Sequence, residues 1–246
     1  MPTLLHSPRY SDDSIKLRRA AIVLGWDVLR LASWRCPEAF EPEEPVLFAE
    51  PLFNTAVAEQ LGLAVIEPPE DFLVGLPREY VGREVRLMTA AEARTLAGPM
   101  FLKPPNQKTF PAKVYASGSE LPEMPDDDPV LASEPVEWAA EFRFFVRDRR
   151  VHAWSPYWLD GALARVGDEW IVEPVMAATT RCLVDRLLAD PRVDLPPALV
   201  LDAGVIGGVG PAVVEANVAS GSGLYGCDPR DVLEVLRAAT VVNSSL

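Results

Sequence analysis

Two carboxylates and one amide near the end of the chain form the most informative chemical pattern in the sequence. The segment ALVLDAGVIGGVGPAVVEAN is typical of a β-hairpin around a Gly-rich turn region at residues 205–211, and the expected register places Asp202 opposite Glu215. Residues two apart on a strand share a face, so Asn217 projects beside Glu215. An all-oxygen cluster of this kind suits Mg²⁺ or Mn²⁺. The alternative is a solvated face with an incidental register, since a slip of one residue would separate the two carboxylates.

A second pattern lies in the lysines, which are rare and clustered. Only four occur among the 23 Lys and Arg residues, and Lys103, Lys108 and Lys113 all fall within residues 103–113. A lysine ammonium acts as a compact point charge toward phosphate, whereas arginine presents a planar fork. The cluster favours a phosphate-binding segment; the alternative is chance clustering on a solvated loop.

The third pattern is Glu141-Phe-Arg143, in the segment AEFRFFV. The two-residue period of a strand puts Glu141 and Arg143 on one face, with Phe142 and Phe144 on the other. A glutamate that accepts ribose hydroxyls beside an arginine that neutralises phosphate fits this pattern. An internal salt bridge at a sheet edge fits it equally well.

Composition excludes several other classes of protein. The three cysteines and two histidines are too few and too widely spaced for a disulfide framework, a zinc knuckle or a His-rich metal site. The net charge of −13 is a poor match to nucleic acid or an anionic membrane. No apolar run is long enough to span a bilayer, and the N-terminus shows no signal-peptide pattern, so we expect a cytoplasmic protein.

The helices and strands that position these residues are predicted from the periodicity of apolar residues and from the residues that cap or interrupt it. We predict a strand at 83–88, a helix at 89–97 with a Thr89–Glu92 capping box, and two strands, FLKP and AKVYA, joined by a loop that carries Lys108. A short buried strand at 129–136, a hairpin at 140–154 and a helix at 175–189 follow. The last helix, 229–240, begins with Asp228 as N-cap and Pro229 at its first position.

The first 75 residues or so are predicted to form a small α/β unit. Its predicted elements are a helix from residue 14 to Gly25, a strand at 26–31 and a helix at 52–62. Residues 36–51 are expected to be irregular, and residues 63–81, with three prolines, are expected to be a connection.

In this order, the lysine-bearing strands, E-x-R and the D…E-x-N hairpin resemble the ATP-grasp superfamily, in particular its glutamate-ligase and glutathione-synthetase branch. The motifs that carry the resemblance are FLKP (101–104), AEFRFFV (140–146) and VVEANVASGSGLYG (213–226). The resemblance covers roughly residues 80–240 and is more specific to a clade of short bacterial and phage proteins. Two features depart from the family pattern: the phosphate loop PNQKTFPA contains no glycine, and the N-terminal unit is short.

The resemblance implies roles for individual residues. Lys103 contacts the nucleotide phosphates, Lys108 lies in the loop that closes over them, and Arg143 stabilises the transferring phosphoryl group. Asp202, Glu215 and Asn217 hold Mg²⁺ or Mn²⁺. Further nucleotide contacts are expected at the adenine edge from the Ser133–Val136 segment, through Ser133, Glu134 and Val136, and at the ribose from Glu141. Two basic side chains, Lys113 and Arg83, are also expected to contact the nucleotide, with Arg86 as an alternative to Arg83.

The implied fold is α+β, an ATP-grasp fold in which two α+β subdomains clamp a nucleotide. The expected organisation is a unit at residues 1–78 followed by an ATP-grasp domain at 79–246. Within that domain, 79–128 form a small lysine-bearing subdomain and 129–246 a metal-binding subdomain.

The implied function is an ATP-dependent ligase that joins a carboxylate, through an acylphosphate, to an amine or related nucleophile such as an amino acid or peptide. We expect the acceptor at the loop 219–227, beside Ser222, with Arg9 as a weaker candidate for a carboxylate contact. A non-catalytic ATP-binding or interaction module on the same fold remains the alternative. A lysine-nucleophile nucleotidyltransferase is disfavoured because no lysine is followed by the x-D-G pattern.

Overall fold

The computed structural model describes residues 1–106 and 108–243 and contains two main sheets and a small N-terminal parallel sheet. The N-terminal sheet has the order β2-β1-β3, with all three strands parallel. Its strands and the two helices of this unit are β1 Pro2–His6, α1 Asp12–Val23, β2 Asp27–Arg30, β3 Glu44–Phe48 and α2 Pro51–Gln60.

Two of these strands correct the expectations from sequence. β1 was not predicted, and β3 lies in the segment predicted to be irregular. In β1 the adjacent residues Leu4 and Leu5 are both fully buried, against opposite faces of the sheet. A parallel strand covered on both faces shows no polar–apolar alternation, so its short apolar run carries no strand period.

Residues 63–81 also contain regular structure where only a connection was predicted. They form β4 Leu63–Val65, α3 Phe72–Gly75 and α4 Arg78–Val81. The two helices have only four residues each, too few to show a helical period, and α4 ends at Gly82 in the left-handed region (φ 65°). They pack on the large sheet through Phe72, Leu73 and Tyr80.

The strands of the small lysine-bearing sheet lie close to their predicted positions, but residues 129–133, expected in the metal-binding subdomain 129–246, belong to this sheet. Its order is β5-β8-β6-β7, from β5 Val85–Thr89, β6 Met100–Lys103, β7 Lys113–Tyr115 and β8 Pro129–Ser133. Helix α5 Ala90–Arg94 has the predicted Thr89–Glu92 capping box, although it ends three residues earlier than expected. The β8 strand stops before Pro135, whose ring cannot donate to a ladder.

The large sheet is antiparallel and has the order β11-β10-β9-β14-β15. Its strands are β9 Trp138–Arg147, β10 Arg150–Leu159, β11 Ala162–Leu163, β14 Ala198–Ile206 and β15 Gly210–Asn217, and the hairpin β12 Arg165–Val166 with β13 Glu169–Trp170 lies beside it. Phe142 and Phe144 share one face of the sheet, as the strand period predicts, and helix α6 Pro174–Ala189 packs over that face. Helices α7 Pro229–Leu236 and α1 share the core on the other face.

The end of the chain returns to the N-terminal unit. After α7, which ends four residues before the predicted boundary, β16 Thr240–Val242 pairs antiparallel with β4. One hydrophobic cluster joins Leu4 and Leu17 to Phe145 and Leu233. The expected unit 1–78 therefore shares a core with the segment 129–246. Among the described residues, no helix is both long and apolar enough to cross a membrane.

Candidate active site

The centre of the site is set by the register of β14 against β15. Asp202 lies directly opposite Glu215, which confirms the predicted pair. Nearer the turn, however, Ala203 pairs with Val213, so Val214 is an extra residue in β15. Without this β-bulge the register of the turn would put Val214 opposite Asp202 and turn Glu215 to the other face. The bulge therefore brings the two carboxylates together.

The Arg83 side chain binds the backbone at that bulge, through the carbonyls of Val213 and Val214. Its Nη1 donates to the carbonyls of Val213 (2.8 Å) and Val81 (3.0 Å), and its Nη2 donates to the carbonyl of Val214 (3.1 Å). The side chain is buried, and burial lowers the pKa of Arg83 to about 10. The structure thus places the Arg83 guanidinium against the backbone carbonyls next to Glu215. Its expected contact with nucleotide phosphate stays a prediction.

Arg143 on β9 forms a two-point ion pair with Asp202 on the neighbouring strand. Arg143 Nε donates to Asp202 Oδ1 (2.9 Å) and Nη2 donates to Oδ2 (2.7 Å). Asp202 is 0% exposed, and burial raises its pKa against the effect of Arg143. Burial acts to lower the pKa of Arg143, but the charge and hydrogen bonds of Asp202 outweigh it and raise that pKa. Bidentate binding of a guanidinium to a carboxylate fixes the orientation of the guanidinium.

Glu215 is held by a lysine and an amide. Lys103, at the end of β6, forms an ion pair with Glu215 across the gap between the two sheets. The amide nitrogen of Asn217 donates to Glu215 Oε1 (3.0 Å) and to Asp202 Oδ2 (3.1 Å), so it bridges the two carboxylates. Burial acts to raise the pKa of Glu215, but the charge of Lys103 and these hydrogen bonds outweigh it and lower that pKa.

Glu141 lies on the same face of β9 as Arg143 and accepts a hydrogen bond from the hydroxyl of Tyr157 on β10. Burial is the main cause that raises the pKa of both Glu141 and Tyr157, and Asp202 and Glu215 add to it through their charges. The structure therefore collects three carboxylates, two cations and an amide where the large sheet meets the end of β6.

Sequence reasoning missed Tyr157, Tyr225 and Asp13. The rings of Tyr157 and Tyr225 stack at 4.9 Å, and the Arg143 guanidinium lies over the Tyr225 ring at 4.8 Å. Tyr157 sits at a bulge of β10, where the two-residue period fails, and Tyr225 and Asp13 lie in or next to loops without periodicity. The only available signal was the position of Tyr225 soon after E-x-N, between glycines of the small-residue loop.

The lysine cluster of the sequence separates in space. Lys113 pairs across the ladder with Leu102, the neighbour of Lys103, so the two lysines face opposite sides of the small sheet. Lys113 is exposed, with its ammonium 4.7 Å from the centre of the Tyr115 ring. Lys108 is exposed in the loop after Lys103, beside Gln107, which lies outside the described residues. Arg86 is exposed and pairs with Glu84 (3.4 Å).

The segment expected at the adenine edge joins the two main sheets. Ser133 ends β8, and its hydroxyl donates to the carbonyl of Glu134 (3.3 Å). The Glu134 carboxylate accepts from the backbone N–H of Glu84 (2.8 Å), and Val136 is half-buried two residues before β9. The segment therefore lies between β8 of the small sheet and β9 of the large sheet, and its contact with a base remains a prediction.

The expected acceptor loop follows β15 and lies against the N-terminal unit. The Ser222 hydroxyl donates to the carbonyl of Val218 (2.7 Å), and the Asn54 side chain on α2 donates to the carbonyl of Ser220 (3.0 Å). Asp228 caps α7 with Pro229 at the first position, as predicted. Arg9 is exposed and pairs with Glu50 (3.5 Å) at the rim of this region.

The oxygen donors suit a divalent cation with oxygen ligands. Asn217 lies within hydrogen-bond distance of both Asp202 and Glu215, and the two carboxylates are neutralised by Arg143 and Lys103. Within the described residues, no group of three or more His, Cys, Asp or Glu side chains has the arrangement of a metal site. The donor set is thus two carboxylates and one amide, a combination that Mg²⁺ completes with water or phosphate oxygens.

Comparison with known proteins addresses the fold and the family. The chain superposes on a RimK domain ATP-grasp protein from Sphaerobacter thermophilus DSM 20745 with TM-score 0.56 and 14% identity, covering 96% of this chain and 98% of that one. It superposes on the D-cycloserine synthetase DcsG with TM-score 0.61 and 13% identity (96% and 99% covered). For the ATP-grasp ligase PsnB, in complex with a minimal precursor, the values are 0.55 and 15% (96% and 98% covered). No curated protein matches the sequence.

These structural similarities establish the fold, which is the predicted α+β ATP-grasp fold. The family assignment rests on sequence: the model of an ATP-grasp domain family, the second family of the R-two-K clade, matches residues 80–235. That span contains the K-P strand, E-x-R and E-x-N motifs and every residue of the carboxylate cluster. The chain therefore belongs to the ATP-grasp superfamily, in the second family of the R-two-K clade.

Proposed function

We propose that this protein is an ATP- and Mg²⁺-dependent ligase that joins a carboxylate to an amine or related nucleophile. The observation that carries the proposal is the convergence of five side chains where the large sheet meets the end of β6: Lys103, Arg143, Asp202, Glu215 and Asn217. A protein catalyses phosphoryl transfer mainly by positioning the reactants and by supplying charges that stabilise the transferring phosphoryl group. Lys103 and Arg143 supply such positive charges, and Asp202, Glu215 and Asn217 supply oxygen ligands for a cation. None of the five is a serine, cysteine or histidine nucleophile.

In this proposal the substrate carboxylate attacks the γ-phosphorus of ATP, the bond to the β-γ bridging oxygen breaks, and ADP leaves. The amine then attacks the acylphosphate carbonyl, inorganic phosphate leaves, and the amine gives up a proton. Arg143 faces the transferred phosphoryl oxygens, and Lys103 and the loop residue Lys108 neutralise the nucleotide phosphates. A further contact from Lys113 is a weaker expectation, because the structure places it on the opposite face from Lys103.

The remaining assignments follow the resemblance and the placement of each residue. Asp202, Glu215 and Asn217 would hold Mg²⁺ or Mn²⁺, which neutralises phosphate charge and orients the γ-phosphoryl group. Glu141 would bind the ribose, and Ser133, Glu134 and Val136 would face the adenine. The second substrate would bind beside the loop 219–227, as an amino acid or a peptide.

The test is turnover of ATP to ADP and phosphate with Mg²⁺, over a panel of amino acids and peptides, in wild-type protein and in Glu215→Gln. The glutamine keeps the size of the side chain but removes a charged oxygen ligand. We expect turnover to fall about 100-fold or more, with a melting temperature within a few degrees of wild type. Glu59→Gln, an exposed residue on α2, serves as the control and should behave like wild type.

Three results would contradict the proposal. Wild-type turnover in Glu215→Gln would remove the metal cluster from the mechanism. Turnover that survives removal of divalent cations by a chelator would do the same. Tight ATP binding without turnover, over the whole panel, would favour a nucleotide-binding module on this fold.

A further inference from the structure

A single peptide group connects Arg143 to the N-terminal unit. The carbonyl of Gly223 accepts a hydrogen bond from Arg143 Nη1 (3.0 Å). The N–H of the same peptide group, which belongs to Leu224, donates to Asp13 Oδ2 (3.0 Å). Asp13 lies in the first turn of α1, 211 residues earlier in the chain. We propose that Asp13 is a positioning residue that fixes Arg143 through this peptide group, an inference that rests on the proposed role of Arg143 in phosphoryl transfer.

The remaining bonds of Arg143 explain why this third contact matters. Nε and Nη2 both donate to the carboxylate of Asp202, so these bonds fix one side of the guanidinium. The Gly223 carbonyl holds Nη1 on the other side of the guanidinium. Three of the five donors of the group are then fixed in one plane, and their geometry decides where the others point. An anion that accepts an N–H also polarises the peptide group, which strengthens its carbonyl as an acceptor.

The backbone next to this peptide group is strained and is held on both sides. Tyr225 has φ 51°, a left-handed conformation that costs a bulky residue about 1–3 kcal/mol and persists only where neighbours enforce it. The N–H before it, on Leu224, binds Asp13, and the N–H after it, on Gly226, binds the Ser155 hydroxyl (3.0 Å). These two acceptors keep the Tyr225 ring over Arg143, where it closes off one face of the guanidinium.

The first test needs no substrate. In Asp13→Ala the Leu224 N–H loses its acceptor, so we expect its hydrogen exchange to rise about 10-fold or more and the Arg143 Nε–H NMR signal to shift or broaden. Asp12→Ala is the matched control, because Asp12 also lies in the first turn of α1 and is exposed. It removes the same charge from the helix N-terminus without touching Leu224. Unchanged Leu224 exchange and an unchanged Arg143 signal in Asp13→Ala would overturn the inference.

The second test separates positioning from general damage. For Asp13→Ala we expect kcat for ATP turnover to fall about 10-fold, on the scale of an indirect coupling, with the KM for ATP within about two-fold of wild type. Asp13→Asn keeps an acceptor oxygen and should recover most of the loss. Equal kcat in the alanine variants of Asp13 and Asp12, or a fall with no recovery in Asp13→Asn, would overturn the inference. If wild-type protein shows no ATP turnover while Leu224 exchange still responds to Asp13, the proposed function fails and the contact stands.

Discussion

Arg143 and Asp202 face each other across adjacent strands of the large sheet and form a two-point ion pair at 2.9 and 2.7 Å, with the carboxylate fully buried. A buried ion pair adds little stability over a well-packed apolar pair, but removing one partner leaves an uncompensated charge. The pair is therefore better understood as orienting the guanidinium than as stabilising the fold.

This interpretation predicts an asymmetry between single and double variants. Arg143→Met should lower the free energy of unfolding by about 3–5 kcal/mol, because Asp202 is left buried without its cation. Arg143→Met combined with Asp202→Leu should recover much of that loss, since no charge remains unpaired. Both are measured by urea unfolding at neutral pH.

The control for that experiment is Arg181→Met, which breaks an exposed i,i+4 pair with Asp185 (2.8 Å) on α6. We expect it to cost less than about 1 kcal/mol. If Arg143→Met lowers the free energy of unfolding no more than Arg181→Met does, Arg143 does not compensate the buried charge of Asp202.

Lys103 and Lys113 give a second prediction, because they come from one lysine cluster but face opposite sides of the small sheet. Lys103→Ala should weaken ATP binding about 10- to 100-fold, the scale of a charge-assisted hydrogen bond. Lys113→Ala and Lys16→Ala should each leave the Kd for ATP within about two-fold of wild type. Isothermal titration with ATP and Mg²⁺ measures all three, and equal losses in Lys103→Ala and Lys113→Ala would contradict the separation.

Arg83 gives a third prediction, which concerns the bulge. Arg83→Met removes the donors to the carbonyls of Val81, Val213 and Val214, and each buried acceptor left unsatisfied costs about 1–3 kcal/mol. We expect the free energy of unfolding to fall by at least about 2 kcal/mol and amide exchange in β15 to rise. Arg86→Met, three residues further on and exposed, should change neither.

The same pair of variants separates two roles for Arg83. If Arg83→Met is as stable as Arg86→Met, keeps β15 protected and yet loses ATP affinity, then Arg83 contacts the nucleotide rather than the bulge. The structural role requires stability and β15 protection to fall together.

The bulge also shows where sequence reasoning reached its limit. The pairing of Asp202 with Glu215 was predicted from one register carried through the whole hairpin. The real turn, with Ile206 opposite Gly210, sets a register one residue away, and the extra residue Val214 restores the predicted pairing. No local signal marks that residue, because the side chain that binds it, Arg83, lies far away in the sequence. Strand periodicity placed Glu141 and Arg143 correctly, since it depends only on neighbouring residues.

Other parts of the site depend on contacts between distant segments. Lysine clustering in the sequence suggested one phosphate-binding group, but the pleat of β6 and β7 separates Lys103 from Lys113. Asp13 reaches the loop after β15 only because α1 packs beside α7 in one shared core. Such arrangements follow from tertiary packing, which periodicity and composition do not encode.

His6 gives the fourth prediction, a pH dependence of stability. Its side chain is buried at the end of β1, Nδ1 lies 3.3 Å from the carbonyl of Phe48, and Nε2 has no hydrogen-bond partner among the described residues. Burial is the main cause that lowers its pKa from 6.5 to about 4, and the nearby Arg30 and Arg18 charges act in the same direction. The folded protein therefore holds this imidazole neutral through a pH range in which the unfolded chain takes up a proton.

The sign of the effect follows from that difference in bound protons. Between about pH 6.5 and pH 4 the unfolded state binds the proton and the folded state does not, so stability falls as the pH falls. From about pH 7 to about pH 5 this group should remove about 2 kcal/mol from the free energy of unfolding. His6→Asn retains a donor near the Phe48 carbonyl but cannot titrate, so its stability should fall by about 2 kcal/mol less than wild type over that range. His152→Asn, at an exposed position on β10, should follow the wild-type curve, and an identical curve for His6→Asn would show that His6 does not control the acid sensitivity of the fold.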